Sequence, residues 1–151
     1  MAISRLTAPS KWIELASSSP TSGTVVSFTS IPEYRDYKFV VSNMDTAASG
    51  SYLYNINFNN DTGANYGYVF NNTSISSAGG DTKIKLSAVR FDNYFDVLIL
   101  GANQISKEIY INHYGFSIGT AMWDSQSTIN RIDLTAPTTI SSGTVKVYGR
   151  N

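Results

Sequence analysis

The chain has 151 residues with no cysteine and one histidine, and its 11 Lys and Arg balance its 11 Asp and Glu. A domain of this length buries roughly two thirds of the surface its unfolded chain exposes, so neither metal nor disulfide is needed to hold it. The missing cysteines exclude a disulfide framework, a thiolate nucleophile and a Cys-ligated metal, the lone histidine excludes a multi-histidine centre, and a net charge of zero leaves no electrostatic footprint for nucleic acid.

Within Met1 to Ser10, the start Met1-Ala2-Ile3-Ser4-Arg5-Leu6 has no long apolar core and no small-residue cleavage signal, so neither a secretory signal nor a transit peptide is expected, and the chain reads as soluble in the cytoplasm that makes it. This stretch reads as an N-terminal arm that a partner surface could order. Strand patterns follow over Lys11 to Ala16, Thr24 to Thr29 and Asp36 to Met44, the last alternating Tyr37, Phe39 and Val41 against Lys38, Val40 and Ser42. The clearest alternation is Tyr52, Tyr54, Ile56 and Phe58 against Leu53, Asn55 and Asn57. Further strands are predicted over Tyr66 to Phe70, Thr82 to Val89, Tyr94 to Leu100, Lys107 to Asn112, Thr128 to Thr135 and Thr144 to Tyr148. Turn chemistry separates them at residues 17 to 23, 59 to 63, 78 to 81 (Ala-Gly-Gly-Asp) and 141 to 143 (Ser-Ser-Gly).

No segment carries a sustained helical stripe, and the longest apolar run, Val97 to Leu100, is far too short to span a bilayer. Membrane insertion is therefore not expected. With 21 Ser, 14 Thr and 13 Asn, uncharged hydrogen-bonding side chains must supply most of the polar surface. The predicted class is all-β: a two-sheet antiparallel sandwich of jelly-roll type with about ten short strands, with a closed barrel as the structural alternative. The entries Ser22 to Val26 and Ser142 to Lys146 look alike, but nothing recurs at a fixed period. No linker divides the chain, so residues 1–10 form the arm and residues 11–151 one sandwich domain.

Gly115-Phe116-Ser117-Ile118-Gly119 fits the G-x-S-x-G pattern of a hydrolase nucleophile elbow, which requires a strand-to-helix turn. The only histidine, His113, precedes Ser117 and no helical pattern follows, so a Gly-bounded strand or loop is the preferred reading. His113 shares a strand face with Ile109 and Ile111 and reads as a hydrogen-bonded structural residue. Asp92, Asp96, Glu108 and Asp124 are the candidates for a glycosidase pair, which needs carboxyls about 5 to 10 Å apart. Strand geometry puts Asp92 and Asp96 about 13 Å apart, so solvated charges are preferred. Asn59 to Asn65 concentrates oxygen ligands, which a hard cation such as Ca²⁺ favours, without the EF-hand spacing. An Asx-turn reversing the chain is preferred there, and no metal or other cofactor is assigned. The sequons within Asn71 to Ser74 carry no meaning without secretion. Tyr combines a flat apolar face with a hydroxyl, so Asn65, Tyr66 and Tyr68 are the candidate ligand-binding residues, read as an exposed contact surface for a sugar or protein.

The order of several pieces resembles a family of small phage virion proteins of tail-fibre or structural type. They are Ser22 to Pro32, Tyr34 to Val41, Phe58-Asn59-Asn60-Asp61-Thr62-Gly63-Ala64-Asn65-Tyr66, Ile109 to Tyr114, Trp123 with Ile129 to Leu134, and Gly143 to Gly149. The likeness runs from about Trp12 to Gly149. It departs at Arg150-Asn151, where a short apolar ending would stand, and in the shortened loop from Asn71 to Gly80. The resemblance implies a jelly-roll-like module on the outside of a phage particle, homotrimeric and without enzymatic activity. Three expectations follow from the residues and the resemblance together. The first is a tail-fibre or host-attachment module recognising a host surface glycan; the second is a head decoration or cement protein bound to other virion proteins; the third, least favoured, is a small glycan-cleaving enzyme.

Overall fold

Every regular element among the described residues is a β-strand, as the period-two patterns require. The computed structural model describes residues 11–46, 52–70, 76–88, 93–113 and 117–151. The arm at Met1 to Ser10, the sequons, Asp92 and the Gly115-Phe116 half of the glycine-serine motif lie outside them. Among the described residues the strands are β1 (Ile13–Ser18), β2 (Val25–Thr29), β3 (Asp36–Thr46), β4 (Tyr52–Phe58), β5 (Tyr66–Phe70), β6 (Ser76–Asp81), β7 (Ile84–Ala88), β8 (Asn93–Leu100), β9 (Ser106–His113), β10 (Ser117–Asp124), β11 (Arg131–Thr135) and β12 (Ile140–Arg150). No helix there is long and apolar enough to cross a membrane.

The strands form two antiparallel sheets, one ordered β1-β12-β3-β8-β9-β10-β5-β6 and the other β2-β11-β4-β7. Strands β1 to β4 alternate between the large sheet and the small one, and β7, β8, β11 and β12 do so again. The hairpins β5-β6 and β9-β10 are additions that widen the large sheet beyond β8.

Inward residues of both sheets meet in one hydrophobic cluster. Phe28 of the small sheet lies edge-on to Phe39 of the large one at 6.3 Å between ring centroids, and Tyr54 meets Phe95 at 6.0 Å. Such ring pairs add about 0.5–1.5 kcal/mol each beyond the area they bury, so they fix how the sheets seat on one another as well as holding them together.

Strand β3 shows how one residue resets the alternation. Tyr37, Phe39 and Val41 are buried, and then Met44 and Thr46 are, so the inward positions change from odd to even numbers. The change falls at Asn43, whose φ of 51° is left-handed, and the pairing with β8 slips between Val41 and Met44. Opposite it, Gly143 takes a φ of 138° where β12 slips against β3 between Ser142 and Thr144. This is a β-bulge built from residue types that tolerate positive φ. Ser141-Ser142-Gly143, expected as a turn, is therefore a bulged stretch inside β12, which starts at Ile140.

Two strands exceed the expected set of about ten. Residues 78 to 81, predicted as a turn, belong to β6, where Gly79 and Gly80 adopt φ of 118° and 85° and the pairing with β5 shifts between Tyr66 and Tyr68. Strand β10 settles the strand-or-loop alternative for Ser117 to Gly119. On its inward face Gly119, Ala121 and Trp123 stand opposite Phe70, Tyr68 and Tyr66 of β5. Small residues on one strand make room for rings on the other: a Cβ on Gly119 would lie 2.3 Å from the Phe70 ring. At the far end the two large rings, Tyr66 and Trp123, stack 6.2 Å apart and 12° from parallel.

Candidate functional site

The stacked pair packs on Phe58 of β4, at 6.2 Å from Tyr66 and 5.2 Å from Trp123, and meets the loop that joins β4 to β5. The loop reverses the chain through Asn59 and Asn60, both left-handed at φ near 55°, with the Asp61 N–H donating to the Phe58 carbonyl at 2.8 Å. Asparagine tolerates that conformation, which is why the pair can form a turn of type I′ character. Asn59 then ties the loop to the segment before β11. Its Oδ1 accepts from the backbone N–H groups of Asn130 and Arg131 at 2.9 and 3.0 Å, and its Nδ2 donates to the Thr128 carbonyl at 2.7 Å.

Asp61 is the hub. Its Oδ1 accepts from the Gly63 N–H at 2.8 Å, which is the Asx-turn preferred from the sequence. Its Oδ2 accepts from Trp123 Nε1 at 2.7 Å and from Asn65 Nδ2 at 3.0 Å. Burial alone would raise this carboxyl, but these three donors outweigh it and hold it below the ordinary aspartate range. Both oxygens of Asp61 and the Oδ1 of Asn59 are thus committed to protein donors. No group of three or more His, Cys, Asp or Glu side chains among the described residues could hold a metal ion.

The candidate residues Asn65, Tyr66 and Tyr68 do not form an exposed aromatic surface. Tyr66 and Tyr68 are core rings, with Phe70 buried on the same face. The Tyr66 hydroxyl accepts from the Phe58 N–H at 3.0 Å, and burial pushes its pKa far above the ordinary phenol range. The Tyr68 hydroxyl donates to Asp81 Oδ2 at 2.9 Å, where Lys85 Nζ also donates at 2.9 Å. Only Asn65 is exposed, and its amide is spent on Asp61. Tyrosine in a strand alternating with a phenylalanine is core with a satisfied tip, and that period-two signal was already present in Tyr66-Gly67-Tyr68-Val69-Phe70.

The other candidates separate. The register sets Ser117 opposite His113, but Ser117 is the first residue of an antiparallel strand and no strand-to-helix elbow is formed. His113 is buried and its ring meets Phe95 edge-on at 6.3 Å. Asp96 is paired with Lys38 at 3.0 Å. Glu108 lies two outward positions from it along the β8-β9 ladder, about 13 Å away, beyond the reach of a carboxylate pair on one glycosidic bond. Glu108 and Asp124 are both exposed.

Lys107 was not singled out from the sequence. It is fully buried, its Nζ lies 4.8 Å over the Trp123 ring, and it donates to the Ser125 carbonyl. Burial draws its pKa below the ordinary lysine range, against a smaller opposing pull from Asp124. Its signal was the alternation Lys107, Ile109, Ile111, His113, which places a cation on the inward face of β9.

The outer face of the large sheet carries the feature that remains. Registers align Tyr148, Lys38, Leu98, Tyr110, Thr120 and Val69 in one row from β12 across β3, β8, β9 and β10 to β5. On the β1-β12-β3 side charges are paired within the chain: Lys146 with Glu14 at 2.9 Å, Lys38 with Asp96 at 3.0 Å, and Asp36 with Arg35 and Arg150 at 2.9 and 2.7 Å. On the β9-β10-β5 side Tyr110, Ile118, Met122 and Val69 are exposed around Thr120. One half of the face is internally neutralised polar surface, and the other groups large apolar side chains around Thr120, with Glu108 accepting from the Tyr110 hydroxyl at 3.3 Å at one end.

Compared with models of known protein families and with curated proteins, the chain matches none.

Proposed function

We propose that this chain is a non-enzymatic structural protein on the exterior of a phage particle, seated by contacts with other virion proteins and with copies of itself. The outer face of the large sheet carries the reading: large apolar side chains exposed together on a rigid, neutral surface fit protein neighbours better than a soluble reactant. Two further features support it. The alternation of successive strands between sheets is compatible with the winding of a jelly roll, an architecture that recurs in capsid proteins, and the sequence pieces resembling small phage virion proteins lie along this sandwich chain. On that resemblance the assembly is a homotrimer.

Within this reading the particle offers two places. A tail-fibre or host-attachment module would recognise a host glycan, but the buried Tyr66 and Tyr68 withdraw the rings that made that attractive. Glycan recognition then rests on the Ser-, Thr- and Asn-bearing loops alone, and the head decoration or cement reading gains. Gold-labelled antibody on intact particles tests the proposal, with label expected on the exterior of the head or tail. Purified particles that lack the chain would refute it. Binding of the pure protein to host lipopolysaccharide, with label on the tail, would restore the attachment reading over decoration.

A further inference from the structure

We propose that the outer face of β9, β10 and β5 is where copies of this chain pack against one another. The inference rests on the reading of the chain as an assembling structural protein and deepens it by naming the surface. Val69, Tyr110, Ile118 and Met122 are 56, 45, 61 and 42% exposed, and the registers make them neighbours around Thr120 on adjacent strands. With the partly buried Leu98 they present roughly 400 Å² in one patch, the size of the largest patch that a monomer ordinarily leaves bare and that often serves a function.

The area suits a second copy of the chain. A homodimer of ordinary size buries roughly 800 Å² per chain, about 65% of it apolar, or roughly 500 Å², and this patch supplies the larger part of that. Charge points the same way. The centre of the patch holds no charged side chain, and Glu108, which accepts from the Tyr110 hydroxyl at 3.3 Å, and Asp124 stand at the end nearest Met122, so two identical faces turned end for end meet without like-charge repulsion. The paired Lys38-Asp96 and Lys146-Glu14 bridges on the neighbouring strands form a polar margin with no net charge. A nucleic acid or an anionic lipid surface would require a cationic face, which this is not. A surface that complements itself can gather two chains about a twofold axis, and a threefold assembly would use it with each patch touching both neighbours.

Sedimentation of the full chain from low to high micromolar concentration tests the proposal. The wild type should run as an assembly of two or three chains, and Ile118→Lys combined with Met122→Lys should run as one chain with an unchanged circular dichroism spectrum. Ile13→Lys, at an exposed site on β1, should leave the assembly intact. A monomeric wild type throughout, or a double variant that keeps the wild-type mass, would overturn it, as would a monomer that binds phosphatidylcholine vesicles instead of its own copies. Should the double variant fail to fold, Met122 of the wild type gives an independent readout. Its oxidation by peroxide, followed by peptide mass, should slow several-fold on going from dilute to concentrated protein, and a rate independent of concentration refutes the interface. Failure here leaves the virion reading standing, because antibody labelling tests that separately.

Discussion

A single carbon added at Gly119 tests the packing of the widened sheet. A Cβ there would stand 2.3 Å from Cδ1 and 2.4 Å from Cε1 of Phe70, well inside the roughly 3.5–4.0 Å at which carbons attract. Phe70 is 4% exposed and its ring abuts Tyr68 at 6.3 Å between centroids, so it cannot swing aside without moving other core rings. Overpacking costs about 1–3 kcal/mol, and a clash of this depth against a held ring belongs near the top, about 2–3 kcal/mol. For a chain of this size that is a fall in Tm of roughly 5–10 °C. Phe70→Leu alone should cost about 1–2 kcal/mol, because it empties part of the ring's space. In the double variant the Leu side chain clears the new methyl, so the two costs should fall short of adding by about 1.5–2 kcal/mol. Urea unfolding followed by tryptophan fluorescence measures all three variants, with m unchanged. Gly119→Ala within about 0.5 kcal/mol of wild type, or single costs that add, would refute the account of why glycine stands there.

Three other outcomes follow from the polar contacts. Asp36 is nearly buried; desolvation pushes its carboxyl up, but donation from Arg35, Arg150 and the Gly101 N–H outweighs this and holds it below the ordinary value. Its folded pKa therefore lies below its unfolded one, so its contribution is complete above about pH 4 and is lost as pH falls through the folded value. Acid titration of stability should show a shallower loss in that window for Asp36→Asn than for wild type, and parallel curves would count against the clamp. Tyr66→Phe removes the acceptor of the Phe58 N–H and should cost about 1–3 kcal/mol by chemical denaturation, whereas an unchanged midpoint would show that the amide finds another partner. Lys107 should escape acetylation by a water-soluble reagent under native conditions while exposed Lys11 reacts, and should become labelled only on unfolding; equal rates by peptide mass would contradict its burial.

Period two carried most of the architecture from sequence to fold. Asp36 to Met44 and Tyr52 to Phe58 were legible because β-branched and aromatic residues recur on one side of each strand. Strand β6 was not, because Ala78-Gly79-Gly80-Asp81 reads as a turn, and its glycines serve positive φ within a bulged pairing that only the partner strand reveals. Strand β10 stayed ambiguous because Gly119 and Ala121 look like loop residues until Phe70 and Tyr68 are set opposite them. The same gap accounts for the candidate site. Tyr66 and Tyr68 offer hydroxyls that suggest a wet surface, but those tips are met by the Phe58 backbone and by Asp81, partners that lie on other strands. The exposed face likewise depends on registers across four strands, and no local window of sequence contains Val69, Tyr110 and Ile118 together.

The first strand of the large sheet pairs with the last, β1 with β12, and β12 also separates β1 from β3. During synthesis this sheet therefore lacks the strand next to its β1 edge until β12 has been made. A growing chain that lacks it holds β1 away from β3 with open hydrogen-bonding edges on both, a template for pairing with other nascent chains. Completion of the sheet therefore waits for β12, and products cut short before it are the ones expected to clump.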